Sequence, residues 1–75
     1  MANKNPQRPT PVSILRRHDV EARTGLSRST IYLRMAQGLF PRAISLGGLR
    51  AVGWLESEID AWLHEQIAAS RGSHE

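Results

Sequence analysis

Glycine and proline divide this chain into short segments, and the division constrains its fold more than any other feature. Gly25 and Gly38 each end a run of helix-forming residues, and Pro41 disfavours helix at the residue before it. Gly47-Gly48 is a turn signal between two short alternating runs. Only after Trp54 does a long stretch follow without such a break. The pattern therefore predicts two short helices, a hairpin and one longer helix.

The two short helices have recognisable ends. The first is predicted over residues 18–24 and the second over residues 28–37. Ser27 precedes the second helix and is a favourable N-cap, because its hydroxyl can accept a hydrogen bond from an amide of the first turn. Ile31 and Met35 lie about 40° apart on a helical wheel and form the predicted buried stripe of this helix.

The second half of the chain predicts a hairpin and a longer helix. The hairpin is expected over residues 43–54, with Val52 and Trp54 facing inward. The helix is expected over residues 55–69 because apolar residues recur there at helical spacing. These residues are Ile59, Trp62, Leu63 and Ile67. The fold class is therefore mainly α with a small β-hairpin, in the order of a winged helix-turn-helix.

The chain is long enough for one small domain. A domain of 75 residues buries only about 60% of its unfolded surface. Cysteine is absent, which excludes disulfides, thiolate zinc sites and a cysteine nucleophile. We expect a flexible arm over residues 1–12, a winged helix-turn-helix domain over residues 13–70 and a frayed tail over residues 71–75. No apolar run is long enough for a membrane helix or a signal peptide, so we expect a cytoplasmic protein.

Side chains that could carry catalysis are scattered along the chain. The three histidines, His18, His64 and His74, lack the spacing of metal ligands. The acidic residues at the start of the last helix suit the positive end of the helix dipole, and no nucleophile lies in a pattern with a base. We therefore expect no enzymatic activity, no cofactor and no metal site.

Charge is unevenly distributed. Residues 1–54 contain nine cationic and two acidic side chains, whereas residues 55–75 contain one cationic and five acidic ones. Nine of the ten cations are arginine, whose planar guanidinium suits phosphate and guanine. This distribution is typical of a face that binds a polyanion. An ordinary solvated surface could carry the same charges, so charge alone leaves both interpretations open.

The order of elements adds a geometric argument for double-stranded DNA. A helix fits the major groove, and its N-terminal turn can present short polar groups and arginine to base edges. Leu33 falls on the outer face of the second helix. It is either an ordinary exposed leucine or a contact for a thymine methyl group. Tyr32 could bond a phosphate or simply pack. The candidate DNA contacts are Ser27, Arg28, Ser29, Thr30, Tyr32, Leu33, Arg34, Arg42, Arg50, Arg16 and Arg17.

The sequence resembles the AlpA-type prophage regulators, small winged-helix DNA binders related to phage excisionases and more distantly to the MerR group. The resemblance covers about residues 14–69. It rests on the segments Gly25-Leu26-Ser27-Arg28-Ser29-Thr30-Ile31-Tyr32, Gly38-Leu39-Phe40-Pro41, Gly47-Gly48 and Val52 to Leu63. The family often has a basic residue where Leu33 stands and an apolar one where Arg34 stands.

The resemblance implies a sequence-specific regulator encoded by a phage or an integrated element, controlling transcription of integration and excision genes. It implies base and phosphate contacts at Ser27, Arg28, Ser29, Thr30 and Tyr32. An excisionase-like architectural factor that bends DNA and a protein-interaction adaptor are the alternatives. Expected partners are double-stranded DNA, a second copy as a homodimer or in tandem, and polymerase or an integrase. We expect the protein at the nucleoid and not at a membrane.

Overall fold

The chain folds as three helices around a small antiparallel sheet. The computed structural model describes residues 12–72, so the predicted arm lies outside the described residues except for Val12, and so do residues 73–75 of the predicted tail. The predicted fold class, a mainly helical winged helix-turn-helix, is confirmed. The elements are β1 (Ile14–Leu15), α1 (Arg17–Thr24), α2 (Arg28–Ala36), β2 (Ile44–Ser45), β3 (Val52–Leu55) and α3 (Glu56–Gly72).

The turn between α1 and α2 forms where the sequence predicts it. Gly25 ends α1 with a φ of 77°, a left-handed conformation that glycine adopts without steric cost, and its amide donates to the Glu21 carbonyl at 2.7 Å. Ser27 then caps α2, because its hydroxyl accepts from the Thr30 amide at 3.2 Å. These caps explain why α1 and α2 are separate helices.

The other end of α2 is closed by a Schellman motif. Gly38 has a φ of 75° and its amide donates to the Met35 carbonyl at 3.0 Å. The Leu39 amide reaches back to the Arg34 carbonyl at 2.8 Å. Leu39 also accepts a hydrogen bond of 2.9 Å from the indole nitrogen of Trp62 in α3. The end of α2 is thus joined directly to the last helix.

The sheet has one strand more than the sequence predicts. Its order is β1-β3-β2, with both neighbours antiparallel to the central strand, and β1 pairs Ile14 with Leu55. Leu55 therefore ends a strand instead of beginning the last helix, which corrects the predicted start of that helix. The helix also extends to Gly72, three residues past its predicted end at Ala69.

We use the word wing for β2, β3 and the connecting residues 46–51. The predicted hairpin is present, and Gly47-Gly48 lies within its connecting loop, which the Leu46 amide closes by donating to the Ala51 carbonyl at 2.6 Å. The Ala51 amide donates to the Gly48 carbonyl at 3.3 Å, so Leu49 and Arg50 are the central residues of the turn. Arg50 lies at the tip of the wing, in a left-handed conformation with a φ of 65°.

A small core holds these elements together. The fully buried side chains are Val20, Ile31, Trp54 and Ile59, and Phe40 is nearly so. The indole nitrogen of Trp54 donates to the Pro41 carbonyl at 3.1 Å, which satisfies its polar atom. Ile67, predicted to join the apolar stripe of α3, is instead 46% exposed because it lies past the last turn that contacts the core.

Further hydrogen bonds hold the start of α3 in place. Its first amide, that of Glu56, donates to the Ser13 carbonyl at 2.9 Å, so the residue before β1 closes the helix start. Arg23 of α1 donates to Glu56 and to Asp60, each at 2.7 Å. None of the helices within residues 12–72 is both long and apolar enough to cross a membrane.

Candidate nucleic-acid interface

Four arginines from three elements line one cleft of about 820 Å³, which we call the basic cleft. Arg16 and Arg17 come from the start of α1, Arg28 from the start of α2 and Arg50 from the tip of the wing. His18, Tyr32 and Val52 complete the lining. Four of the six predicted arginines are therefore brought together, although they are far apart in the sequence.

The two arginines from α1 are held by hydrogen bonds. The Nε of Arg16 donates to the Val52 carbonyl at 2.9 Å, which links α1 to the wing. Arg17 forms an ion pair of 2.7 Å with Glu21, one helical turn further along. A partly exposed pair of this kind, one helical turn apart, contributes little to stability. Both guanidinium groups remain at the cleft.

Arg28 and Tyr32 form the α2 side of the cleft. The guanidinium carbon of Arg28 lies 5.8 Å from the centroid of the Tyr32 ring, within cation–π range. Tyr32 in turn meets the buried Trp54 edge to face at 6.4 Å. Tyr32 therefore packs on the core and also lines the cleft. Its ring holds the Arg28 guanidinium in position.

The short polar groups at the start of α2 are only partly free. The Ser27 hydroxyl donates to the Thr30 hydroxyl at 3.0 Å while accepting from the Thr30 amide, so it serves the cap. Ser29 is exposed and lies between them in sequence. Asp19 lies in the first turn of α1, and Glu56 and Glu58 lie in that of α3, but α2 has no acidic residue there. The N-terminus of α2 can therefore attract an anion without competition from an acidic side chain of its own first turn.

The outer face of α2 agrees with the helical wheel. Leu33 is 58% exposed, and Arg34 is half-buried at the edge. Within residues 12–72, Arg28, Arg34 and Arg50 form no ion pair with a carboxylate. Their charges are therefore available to a ligand.

The structure does not bring Arg42 to the basic cleft. Arg42 lines a second concavity of about 370 Å³, together with Glu58, Trp62 and Glu65. Acidic side chains of α3 thus surround it. Arg23 is also withdrawn from ligands, because its guanidinium is bound to Glu56 and Asp60. These hydrogen bonds, that of Glu56 first, raise the pKa of Arg23 above its ordinary value.

Two residues of the cleft were not among the predicted contacts. These are His18 and Val52, which line the cleft because the wing folds over the start of α1. His18 adjoins the predicted Arg16 and Arg17, so extending the basic run by one residue would have found it. Nothing in the local sequence would have found Val52.

Comparison with known proteins supplies an independent observation. The family described as prophage CP4-57 regulatory protein (AlpA) matches residues 13–67, most of the chain. The chain belongs to the AlpA family. Among AlpA relatives, the DNA-binding transcriptional activator AlpA of Escherichia coli (strain K12) is 39% identical over 61 residues, covering 73% of this chain and 86% of the relative.

A second relative comes from a phage. The uncharacterized protein ORF88 of Enterobacteria phage P4 is 42% identical over 66 residues, which cover 88% of this chain and 74% of the relative. The family match includes α1, α2, the wing and most of α3, so it spans every element that lines the basic cleft.

Proposed function

We propose that this chain is a sequence-specific double-stranded DNA-binding regulator of a phage or integrated element, controlling transcription of integration and excision genes. The observation that carries the proposal is the convergence of Arg16, Arg17, Arg28 and Arg50 on one cleft beside the exposed face of α2. Family membership and the name of the Escherichia coli relative support it. The protein would act in the cytoplasm, at the nucleoid.

In this proposal α2 lies in the major groove. Arg28, Ser29 and Thr30 are at its N-terminal end, which is where helix-turn-helix proteins contact base edges. Arg28 can bond guanine through two nitrogens, and Leu33 offers an apolar surface to a thymine methyl group. Arg34 lies at the edge of the same face. The free amide end of α2 adds attraction for a phosphate.

The basic cleft supplies the phosphate contacts. Arg50 reaches from the wing, while Arg16 and Arg17 approach from α1, so the DNA backbone would be held from two sides. Tyr32 would keep Arg28 in place. Phosphate contacts position a protein on the duplex and base contacts determine its site. Arg42 remains a predicted phosphate contact, although the acidic side chains around it would compete with a phosphate for its guanidinium.

In this proposal the acidic helix α3 binds protein partners. Its carboxylates would repel DNA, so we place it on the outside of the complex, where polymerase, an integrase or another copy of the chain could bind. One domain of this size makes few contacts and would bind weakly on its own. We therefore include binding as a dimer or as tandem copies in the proposal.

An excisionase-like architectural role is a second candidate function. It is favoured by the wing tip, where Leu49 is 95% exposed beside Arg50, because apolar side chains of this kind distort duplexes when they enter the minor groove. Such a factor bends DNA at repeated sites and needs no promoter. Several adjacent footprints with a strong bend and no effect on transcription would favour this role.

Selection from a random duplex library, with sequencing of the bound fraction, tests the proposal. We expect one enriched motif, whose repeat spacing distinguishes a two-fold dimer from tandem copies. Arg28→Ala should lose the motif, and Arg71→Ala, on the last turn of α3, is the matched control that should keep it. Binding without enrichment would contradict sequence-specific reading. Absence of binding to any duplex would leave the chain as a protein-interaction adaptor.

A further inference from the structure

The tip of the wing presents a leucine to solvent. Leu49 is 95% exposed, more than any other large apolar side chain in the described part of the chain. It is a central residue of the turn closed by the hydrogen bond from the Ala51 amide to the Gly48 carbonyl. Leu49 is not among the residues packed against the core. Its side chain therefore contributes no burial to the fold.

Arg50, the residue after Leu49, has an unusual backbone conformation. Arg50 adopts a φ of 65°, a conformation that glycine or asparagine takes more readily than a long side chain. Within residues 12–72 it forms no ion pair that could compensate for this conformation. A turn selected only for stability would carry other residues at both positions. Backbone outliers of this kind are concentrated at functional sites.

The location of this pair indicates what it contacts. Arg50 lines the basic cleft with Arg16, Arg17 and Arg28, so a polyanion held in the cleft passes the tip of the wing. Proteins that enter the minor groove combine the same two side-chain types. Arginine is attracted by the negative potential of a narrow groove, and an apolar side chain enters between base pairs and partly unstacks them.

We infer that Leu49 is a wedge that enters the minor groove beside the α2 site and partly unstacks one base step, with Arg50 anchoring the wing on the phosphates that border this groove. This inference rests on the proposed function and adds a distortion of the DNA to it. Unstacking is least costly at flexible pyrimidine–purine steps, so Leu49 also contributes to the choice of sequence at a position that α2 does not contact.

Three variants test the wedge. Leu49→Ser removes the apolar group, Leu49→Met keeps it, and Leu39→Ser is the control because Leu39 is also largely exposed but lies outside the wing. The probe is the duplex that the wild-type chain selects, carrying a dye at each end to report bending. A second set carries 2-aminopurine at successive positions, since its fluorescence rises when it is unstacked.

We expect the wild-type chain, Leu49→Met and Leu39→Ser to bend the duplex by about 20–90° and to raise the fluorescence at one step. Leu49→Ser should remain bound, lose at least about half of the bend and leave the fluorescence unchanged. Thermal unfolding should be the same for the wild-type chain and both Leu49 variants, since Leu49 contacts no core residue, and this separates loss of the wedge from loss of the fold.

The two proposals fail in different ways. A wild-type chain that selects and binds a duplex without bending it, or a Leu49→Ser variant that bends it equally, overturns the wedge and leaves the proposed function intact. A Leu49→Ser variant that bends DNA normally but no longer binds another protein would show that the tip is a protein contact, which also overturns it. A wild-type chain that selects no duplex overturns both.

Discussion

Arg16 and Val52 are joined by a hydrogen bond of 2.9 Å from the guanidinium Nε to the carbonyl oxygen. The bond connects the residue before α1 to the first residue of β3, which are 36 positions apart in the sequence. It fixes the width of the basic cleft, because Arg50 is carried by the wing and Arg17 by α1. The relative position of these two charges therefore depends on a contact that Arg16 makes.

Replacing Arg16 should loosen the wing. We expect Arg16→Leu to lower the free energy of unfolding by about 0.5–1 kcal/mol, the value of one exposed hydrogen bond. Amide hydrogen exchange across residues 44–55 should become faster. Arg17→Leu is the control, because within residues 12–72 Arg17 bonds only to Glu21 of its own helix. Equal exchange in the two variants would show that the Arg16 bond does not hold the wing.

Arg28 is the residue on which sequence-specific binding depends most in our proposal. We expect Arg28→Ala to weaken binding to the selected duplex by about 1–3 kcal/mol and to leave thermal unfolding unchanged. Arg28→Lys should recover binding to unrelated duplexes but not the preference, because lysine keeps the charge and loses the two-nitrogen contact. Competition binding with selected and scrambled duplexes measures both effects. An unchanged preference in Arg28→Ala would remove this residue from the base contacts.

The salt dependence of binding counts the phosphate contacts. Four to six contacts predict a slope of about −4 to −5 in a plot of log affinity against log salt concentration. Arg50→Ala should make the slope shallower by about one unit. Arg71→Ala, with its cation at the far end of α3, should not change it. Fluorescence anisotropy at several salt concentrations provides the slope, and a value near zero would contradict an electrostatic interface.

Gly53 is required by close packing in the central strand. A Cβ atom there would lie 2.5 Å from the Ile14 Cγ2 and 3.1 Å from the Leu15 carbonyl oxygen. We expect Gly53→Ala to lower the free energy of unfolding by about 1–3 kcal/mol, because β1 must move away. Gly48→Ala is the control, since its Cβ would meet only the Ala51 Cβ at an ordinary 3.4 Å. Urea unfolding compares the two variants, and equal midpoints would contradict the packing argument.

The ion pairs of Arg23 hold α1 against α3. We expect Arg23→Gln to lower the thermal midpoint at low salt, with a smaller difference at high salt, because exposed ion pairs are screened. Hydrogen bonds to Glu56 and then Asp60 raise the pKa of Arg23, so its contribution is fully present below the pKa of arginine in the unfolded chain. It is lost only as the pH rises through the folded pKa.

Calorimetry at neutral and moderately alkaline pH should therefore give the same difference between wild type and Arg23→Gln. Arg71→Gln serves as the control for loss of one positive charge. A difference that disappears in mildly alkaline solution would contradict the assignment of the stabilising charge to Arg23.

The helices could be predicted from the sequence because their ends are fixed locally. Ser27, Gly25 and Gly38 act on amides and carbonyls within a few residues of themselves, so their patterns are visible in the chain. Strand β1 could not be predicted. Two residues are too few for an alternating pattern, and Ile14 and Leu15 become a strand only because β3 is beside them. Leu55 was assigned to the wrong element for the same reason.

The candidate site was predictable in its residue types and less so in its arrangement. Arginine content and the start of α2 indicated Arg28 and Arg50. Which arginines share a face depends on the tertiary fold, and this separates Arg42 from the basic cleft. The partner of Arg23 was also invisible locally, since Glu56 lies 33 positions further along the chain.

Helix α2 packs on the core through the fully buried Ile31, with Met35 and Tyr32 beside it. Its start is capped by Ser27 and its end is joined to α3 through Leu39, so its position does not depend on the residues of its outer face. Exchanges at Ser29, Leu33 or Gln37 would leave these supports untouched. Under the proposed function, one scaffold can therefore acquire different target sites by surface substitution alone.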